Sequence, residues 1–529
     1  MVRMMGSLAL VAALLGVSFA AAADEWAEAA GYAQRYGGSK DASERAQAAS
    51  KLAVGMDGKH DKTAVGMLLA ILSNECAKDE GGKSEDKVSG EVLMNCEDSL
   101  KKAGVKEAVD LLLKEAAKNP NPRVRFHIAR SLGGVAAEEA ARTLMTLLDD
   151  KDPKVVIGAA DGLKDQSKES TLEAILKALK SKLTPWEAKL SLVEAVNKID
   201  KAEKSVDGLI EALGALSADQ ARVKLEVIKV LGKFCGVADP KTDDPNWWKT
   251  AWTDKKGGKD PAKDGGTTVE PTEFFGLKAK STRIVFVLDR TGSMDDPCTF
   301  PPTDPKKPPV RPPEQTGNQK PNPAEEAAKA QAEGLFKKWD SMKVAKKIEG
   351  LKKEFTKTIY ALDPRVHFAV VWYEGNPQPW RNDLVPATWA NKLDVLKEID
   401  KLSPSGPTNI WGGLETAYKL VEQPNRPDVV AVDKKGNYAT MVKGADTFFL
   451  MTDGNHNTGK FTGNGNPPGP DTNAFIAEVK KVNALRKVII HVIALGDMGA
   501  GGDPLTQNSL NFLQKIANET GGSFVHIGK

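Results

Sequence analysis

The stretch Arg283-Ile-Val-Phe-Val-Leu-Asp-Arg-Thr-Gly-Ser293 joins an apolar run to a short polar segment. An unbroken apolar run that stops where polar residues begin is typical of a strand buried on both faces of a parallel sheet. A second such run, Thr447–Met451, ends at Thr452-Asp453-Gly454. Because ligands of open α/β sheets collect at the carboxyl ends of the strands, these two stretches predict an α/β domain with a binding site at that edge.

The sequence around these two runs alternates between strand and helix patterns. Such alternation predicts a mainly parallel sheet covered by helices on both faces. The predicted strands are Arg283–Leu288, Val366–Trp372, Thr447–Met451, Val488–Ala494 and Ser523–Ile527. The predicted helices are Asn391–Lys401, Trp411–Leu420, Asn473–Leu485 and Leu505–Glu519.

Five oxygen-bearing side chains fall at the predicted edge: Asp289, Thr291, Ser293, Thr408 and Asp453. Two carboxylates and three hydroxyls are hard donors, which suit Mg²⁺, Mn²⁺ or Ca²⁺ rather than zinc or copper. The sequence therefore predicts Mg²⁺, or Mn²⁺ or Ca²⁺ in its place, as the cofactor.

This set resembles the metal-ion-dependent adhesion site (MIDAS) of the von Willebrand factor type A (VWA) domain, whose motif is Asp-x-Ser-x-Ser with a distant Thr and a distant Asp. The resemblance implies that Thr291 and Ser293 bind the metal through hydroxyls, that Thr408 is the loop ligand, and that Asp289 and Asp453 act directly or through water. Thr291 departs from the usual Ser, but it keeps the hydroxyl and adds one methyl group. The alternative is a vestigial site whose carboxylates only cap loops.

The same resemblance implies a doubly wound, Rossmann-like fold with one antiparallel edge strand around Gln378–Trp380. It also implies that a protein or cell-surface partner supplies a carboxylate that completes the metal octahedron, so that the domain acts in adhesion and protein binding. The main alternative is a scaffold in which the helical part of the chain binds the partner and the VWA domain is structural.

Three further residues are possible secondary members of the site. Asp295 and Asp296 resemble the second cation site of some integrin domains, displaced by one residue, or they form a solvated acidic turn before Pro297. His456 approaches the cation or is a surface-loop histidine. No nucleophile elbow, phosphate-binding loop, zinc-protease motif or dinucleotide fingerprint occurs, so the sequence predicts a binding protein and no enzyme.

The first 23 residues are typical of a secretory signal peptide: Arg3 precedes an apolar stretch from Leu8 to Phe19, and four alanines precede Asp24. This predicts export to the periplasm or the extracellular space. No later apolar run reaches the roughly 18 residues of a membrane-spanning helix. With 74 basic against 71 acidic residues, the overall charge does not call for a nucleic-acid partner.

Residues 24–240 are predicted to be helical, with prolines at 122, 153 and 185 that each open a helix. The helices that follow are predicted to end near Leu132, Leu163 and Val196, with a fourth unit at Asp219–Leu231 and a first at Asp41–Leu52. A period of 31 to 32 residues resembles HEAT repeats, in which stacked helix pairs share one core. The alternative is an irregular helical bundle. A HEAT solenoid would be either a second binding platform or a spacer.

Residues 241–270 read as a linker with tryptophans 247, 248 and 252, which either pin the chain onto a neighbouring domain or stack on sugars. This joint resembles one in exported bacterial proteins that link HEAT-like repeats to a VWA domain, so the VWA domain is placed at 271–529.

Within the predicted VWA domain, residues 295–323 form a proline-rich insertion predicted to be disordered. Residues 324–361 read as one long helix whose lysines, Lys346 and Lys347 among them, lie on a solvated face or, alternatively, attract an anionic surface.

The chain has four cysteines, at positions 76, 96, 235 and 298. In an exported protein an even number favours disulfides, and Cys76 with Cys96 is the favoured pair because a short loop separates them. Cys235 with Cys298 is a weaker pairing, and buried thiols are the alternative. The predicted fold class is a multidomain chain: an all-α HEAT-like solenoid followed by a doubly wound VWA domain.

Overall fold

The computed structural model describes residues 25–78, 88–217, 220–260, 271–300, 322–422, 444–454, 456–463, 469–497 and 506–528. These residues form two units, one up to Ala215 and the other from Leu216 onward. The predicted signal peptide (1–23) and most of the proline-rich insertion (301–321) lie outside the described residues. No described helix is both long and apolar enough to span a membrane.

In the described part of the first unit, all regular secondary structure is helical. Its helices are α1 (residues 25–36), α2 (Ala42–Lys51), α3 (Asp61–Ala77), α4 (Gly90–Leu100), α5 (Lys106–Lys118), α6 (Pro122–Leu132), α7 (Glu138–Leu147), α8 (Pro153–Gln166), α9 (Leu172–Lys180), α10 (Trp186–Ile199) and α11 (Ala202–Ala215). Alternate helices contact each other, α6 with α8 and α8 with α10 in one layer and α5 with α7 in the other. The prediction of stacked helical repeats is confirmed.

Proline and a capping side chain start the repeat helices at the predicted places. Pro122 and Pro153 occupy the first turn of their helices, where a missing N–H costs nothing. The Oδ1 atoms of Asn121 and Asp152 accept hydrogen bonds from the backbone two residues on, at 2.9 Å in each case. Pro185 is instead the N-cap of α10.

A chain of buried polar contacts crosses the stacked helices at the same period. The Glu97 carboxylate on α4 accepts from Arg130 Nη1 at 2.8 Å and contacts His127 Nδ1 at 2.5 Å, both on α6. Arg130 Nε lies 3.3 Å from Asp161 on α8, whose other oxygen accepts from Ser191 Oγ on α10 at 2.6 Å. Burial alone would raise the pKa of Glu97, but the Arg130 charge and the His127 hydrogen bond hold that pKa below its usual value.

The second unit opens with two helices and contains the sheet. Its elements are α12 (Ala221–Cys235), α13 (Pro245–Lys256), β1 (Thr272–Phe274), β2 (Leu277–Ala279), β3 (Arg283–Asp289), α14 (Pro323–Ser341), α15 (Lys347–Ala361), β4 (His367–Tyr373), β5 (Gln378–Pro379), β6 (Asp383–Pro386), α16 (Trp389–Lys401), α17 (Ile410–Lys419), β7 (Val421–Glu422), β8 (Thr447–Thr452), α18 (Thr472–Arg486), β9 (Ile489–Leu495), α19 (Gln507–Glu519) and β10 (Phe524–Ile527).

The main sheet runs in the order β10-β9-β8-β3-β4-β6-β7, with β5 also paired to β4. Strands β10, β9, β8, β3 and β4 are parallel, and β5 and β6 pair antiparallel with β4. Apolar side chains of β3 pack on both faces: Phe286 lies in one core and Val287 in the other. The predicted strands and the antiparallel strand near Gln378 are confirmed, and so is the α/β class of the domain.

Helix α12, predicted as a fourth repeat, belongs to the second unit. The sequence predicts the end of the helical repeat domain later, at residue 240. Arg222 of this helix donates hydrogen bonds to the backbone carbonyls of Asp446 and Lys487 in the α/β domain. The segment predicted as a linker contains α13, in which Trp248 is fully buried and donates to Thr242 O at 3.0 Å.

The single helix predicted for residues 324–361 is wrong, because α14 ends at Ser341 and α15 begins at Lys347. The break occurs because the backbone between the two helices forms hydrogen bonds with residues 296–298. Cys298 N donates to Ala345 O at 3.0 Å and Lys347 N donates to Asp296 O at 3.1 Å. Glu349 then caps α15 by accepting from the backbone of Ala345 and Lys346.

The four cysteines are buried thiols in the structure, so the predicted Cys76–Cys96 disulfide is not present among the described residues. The Cys96 thiol on α4 lies 4.0 Å from the carbonyl oxygen of Leu68 on α3.

Candidate metal centre

Three loops meet at the carboxyl end of the sheet. Asp289 is the last residue of β3, and Asp453 directly follows β8, the parallel neighbour of β3. The loop before α17 is tied to the β3 loop by the hydrogen bonds Gly292 N to Gly406 O, at 3.1 Å, and Ser405 N to Arg290 O, at 2.7 Å. Neighbouring parallel strands therefore place the segments that carry the predicted donors side by side.

The hydroxyl groups of the first loop face the Asp453 carboxylate. Ser293 Oγ lies 3.0 Å and Thr291 Oγ1 lies 3.4 Å from Asp453 Oδ1, and the two hydroxyl oxygens are 3.2 Å apart. Thr408 is buried, and its Oγ1 lies 3.8 Å from the position that a Cβ would take on Gly454. The structure thus brings the donor-bearing segments of all three loops together.

Asp289 is buried and held by three hydrogen bonds. Its Oδ1 accepts from Thr291 N at 2.8 Å, and its Oδ2 accepts from Thr452 Oγ1 at 2.9 Å and from Tyr373 OH at 3.1 Å. Burial and the nearby charge of Asp453 raise the pKa of Asp289 to about 7. Two buried carboxylates this close together both stay ionised at neutral pH only when a positive charge lies nearby.

Lys347 supplies one such charge, although its role was not apparent from the sequence. The residue is 5% exposed, and its Nζ lies 2.9 Å from Asp453 Oδ2. The prediction of a solvated position for Lys347 is wrong, because the break between α14 and α15 turns this residue into the site. No local pattern indicates the contact, since 106 residues separate the partners.

The donor set fits a hard divalent cation. Neighbouring oxygen ligands of an octahedral Mg²⁺ with bonds of 2.0 to 2.1 Å lie about 3 Å apart, close to the spacing of the oxygens of Thr291, Ser293 and Asp453. The methyl group of Thr291 fits within the buried site. The residue is only 1% exposed, and its hydroxyl still faces Asp453.

The three possible secondary residues are engaged in other contacts. Asp295 is paired with Lys346 Nζ at 2.8 Å, and Asp296 Oδ2 lies 3.7 Å from Lys347 Nζ. The surface position predicted for His456 is wrong: the residue is fully buried, its Nε2 contacts Lys460 O at 2.6 Å, and its ring packs edge-on against Phe475. Burial lowers the pKa of His456, so its neutral form is favoured.

A family model described as HEAT repeats matches residues 91–164 and 109–197. The inter-alpha-trypsin inhibitor heavy chain H2 of Homo sapiens is 26% identical over 156 residues, which cover 30% of this chain and 13% of that protein. The inter alpha-trypsin inhibitor heavy chain 4 of Mus musculus is 24% identical over 177 residues, 34% of this chain and 16% of that protein. The chain therefore spans less than a fifth of the length of these two curated relatives.

Among solved structures, a von Willebrand factor type A protein from Catenulispora acidiphila is similar at 14% identity and a TM-score of 0.24, with 48% of this chain and 40% of that chain covered. The family-model match covers α4 to α10, and the strand order places the motif loops at one edge of a mainly parallel sheet. Residues 91–197 thus match HEAT repeats, and the mainly parallel sheet that follows has the strand and loop arrangement predicted for a VWA domain.

Proposed function

We propose that this chain is an exported, non-catalytic binding protein that uses a divalent cation in its VWA domain to hold a protein or surface partner. The supporting observation is the convergence of two buried carboxylates and the Thr291 and Ser293 hydroxyls at the ends of adjacent parallel strands. Asp289, Thr291, Ser293, Thr408 and Asp453 would hold the cation. Export is proposed from the signal-peptide pattern of residues 1–23.

The bound cation would supply a positive centre that attracts a partner carboxylate. The protein's own residues hold the carboxylates in the orientation that the cation requires. Thr452 and Tyr373 orient the Asp289 carboxylate by donating to its Oδ2, while the backbone of Thr291 fixes its Oδ1. Because the Asp289 and Asp453 carboxylates are both fully buried, their attraction to a cation is only weakly screened by water.

Thermal unfolding of the mature chain with Mg²⁺, Mn²⁺, Ca²⁺ or EDTA tests the cation site. A ligand that binds only the native state raises Tm by mass action. We expect a cation-dependent rise in the wild type and its loss in Asp289→Asn, which keeps the size of the side chain and removes its charge. Asp394→Asn is the matched control, because Asp394 is half-exposed and pairs with Arg381. No rise with any cation in the wild type would contradict the proposal.

Partner binding is tested by comparing partners captured from the cell surface with and without EDTA. Loss of the same partner on chelation and in Asp289→Asn would support cation-dependent binding. Binding that resists chelation but is lost when residues 24–236 are removed would favour the alternative, in which the helical repeats bind and the VWA domain is structural.

A further inference from the structure

A buried ammonium group lies inside the candidate metal centre. Lys347 Nζ is 2.9 Å from Asp453 Oδ2 and 3.7 Å from Asp296 Oδ2, and the whole residue is 5% exposed. The neighbouring Lys346 is different: its side chain is 45% exposed and pairs with Asp295 at the surface. One of two adjacent lysines therefore enters the site while the other remains outside.

The backbone fixes the position of Lys347. Its N–H donates to Asp296 O at 3.1 Å, and Pro297 forms an isolated antiparallel bridge with Lys346. Lys347 is also the first residue of α15, whose start is capped by Glu349. The segment that leaves the motif loop thus holds the backbone of Lys347 next to the site. The contact therefore does not depend only on which rotamer a long side chain adopts.

Asp453 is consequently shared. Its Oδ1 faces the hydroxyls of Ser293 and Thr291, while its Oδ2 accepts from the ammonium. A divalent cation that uses Asp453 must either displace Lys347 or bind close to a fixed positive charge. Both routes cost free energy. Displacing Lys347 breaks its ion pair with Asp453, and keeping it in place leaves like charges a few ångströms apart in a buried site, where they repel strongly.

We propose that Lys347 is a built-in counter-ion, which balances the charge of Asp453 when no divalent cation is bound and competes with that cation for Asp453. This inference rests on the proposed function, and it assigns to Lys347 the setting of cation affinity. The lysine stabilises the cation-free protein and weakens cation binding, so that the site fills only at higher cation concentrations.

The test is a calorimetric titration of the mature chain with Mn²⁺, run on wild type, Lys347→Met and Lys346→Met. We expect Lys347→Met to bind Mn²⁺ with a Kd about 10-fold lower than the wild type, because the positive charge of Lys347 no longer opposes the cation. A nearby charge that shifts a pKa by about one unit changes a binding constant by the same factor. Lys346→Met removes a charge of the same sign one residue away and should keep the wild-type Kd. In the cation-free protein, Tm should fall in Lys347→Met and should then rise more on addition of Mn²⁺ than in the wild type.

Lys347→Gln is a second neutral variant that keeps a hydrogen-bond donor, in case Lys347→Met does not fold. An unchanged or higher Kd in the neutral variant, with binding still lost in Asp289→Asn, would overturn the role of Lys347 and leave the proposed function standing. Absence of Mn²⁺ binding in both the wild type and the neutral variant would overturn both. Binding gained only when Lys347 is neutral would support the inference.

Discussion

Thr291 shows how a β-branched residue is fitted into a position where the motif usually has Ser. Its backbone N–H binds Asp289 Oδ1 while its hydroxyl faces Asp453, so one residue touches both carboxylates. The residue is buried, and β-branching restricts the side chain to few rotamers. The extra methyl group therefore helps to fix the direction of the hydroxyl.

We expect Thr291→Val to abolish the cation-dependent rise in Tm, because valine keeps the shape and removes the oxygen donor. Thr291→Ser should retain most of that rise, since the hydroxyl remains. Differential scanning fluorimetry with Mg²⁺ and with EDTA measures both. A full cation response in Thr291→Val would show that this hydroxyl is not a ligand.

Lys189 is a second buried lysine, in helix α10 of the repeats. It is 2% exposed, and burial lowers its pKa from 10.5 to about 8. Between these two values the unfolded chain binds more protons than the folded chain, so the free energy of unfolding rises as pH increases through this window. Below about pH 8 the folded state carries the full cost of burying the charge.

We expect Lys189→Met to raise the free energy of unfolding at neutral pH by about 1 to 3 kcal/mol and to flatten its increase between about pH 8 and pH 10. Urea denaturation of the full chain at several pH values, followed by circular dichroism, measures this change. Lys180→Met is the control, because Lys180 pairs with Glu211 at the surface. Equal pH profiles for wild type and Lys189→Met would contradict the prediction.

At the scale of elements, close helix packing in the repeats depends on glycine. Helix α8 lies so near α6 that a Cβ on Gly162 would stand 2.5 Å from the carbonyl oxygen of Ala129. In contrast, a Cβ on Gly66 in the middle of α3 would meet nothing within 4 Å. The two positions are both helical glycines, and they differ in the space around them.

The substitution Gly162→Ala should therefore destabilise the protein by about 1 to 3 kcal/mol, because backbone must move to relieve the overlap. Gly66→Ala should stabilise it by about 0.5 to 1 kcal/mol, because alanine favours the helix and reduces the entropy of the unfolded chain. Chemical denaturation of the two variants provides the comparison. Effects of the same sign would refute the packing argument.

Sequence periodicity predicted most elements but not how they are interrupted or oriented. Buried strands such as β3 carry continuous apolar runs, which are visible locally. The break between α14 and α15 has no glycine or proline signal, because it is imposed by backbone pairing with residues 296–298, about 50 positions away. The burial of His456 likewise depends on Phe475 and Lys460, which its immediate neighbours do not reveal.

The predicted site illustrates the same limit. The motif predicts the oxygen-bearing side chains of the site because their types and order are a local property of three loops. Helical spacing predicts a solvated face for Lys347 only if one helix continues through residues 342–346, which are not helical. A charge that compensates a buried carboxylate across 106 residues requires the tertiary structure.

At the scale of the whole molecule, the cysteines connect the fold to the compartment. The signal-peptide pattern predicts export, where disulfides often form, yet the structure has four buried thiols spread over both units. Burial raises the pKa of Cys96 well above its usual value, and burial raises the pKa of Cys235 and of Cys298 to about 11. Thiols with raised pKa values form little thiolate and resist oxidation.

We therefore expect the protein, purified without reductant, to react slowly with a thiol-alkylating reagent when folded and to incorporate four labels per chain when unfolded, one for each cysteine. Intact-mass spectrometry counts the labels, and pre-treatment with a reductant is the control. Two labels that rise to four after reduction would establish one disulfide, and peptide mapping would show whether it joins Cys76 to Cys96. Four labels in both cases would mean that packing of the thiols, rather than a cross-link, stabilises these parts of the fold, because cysteine then acts as a small apolar side chain.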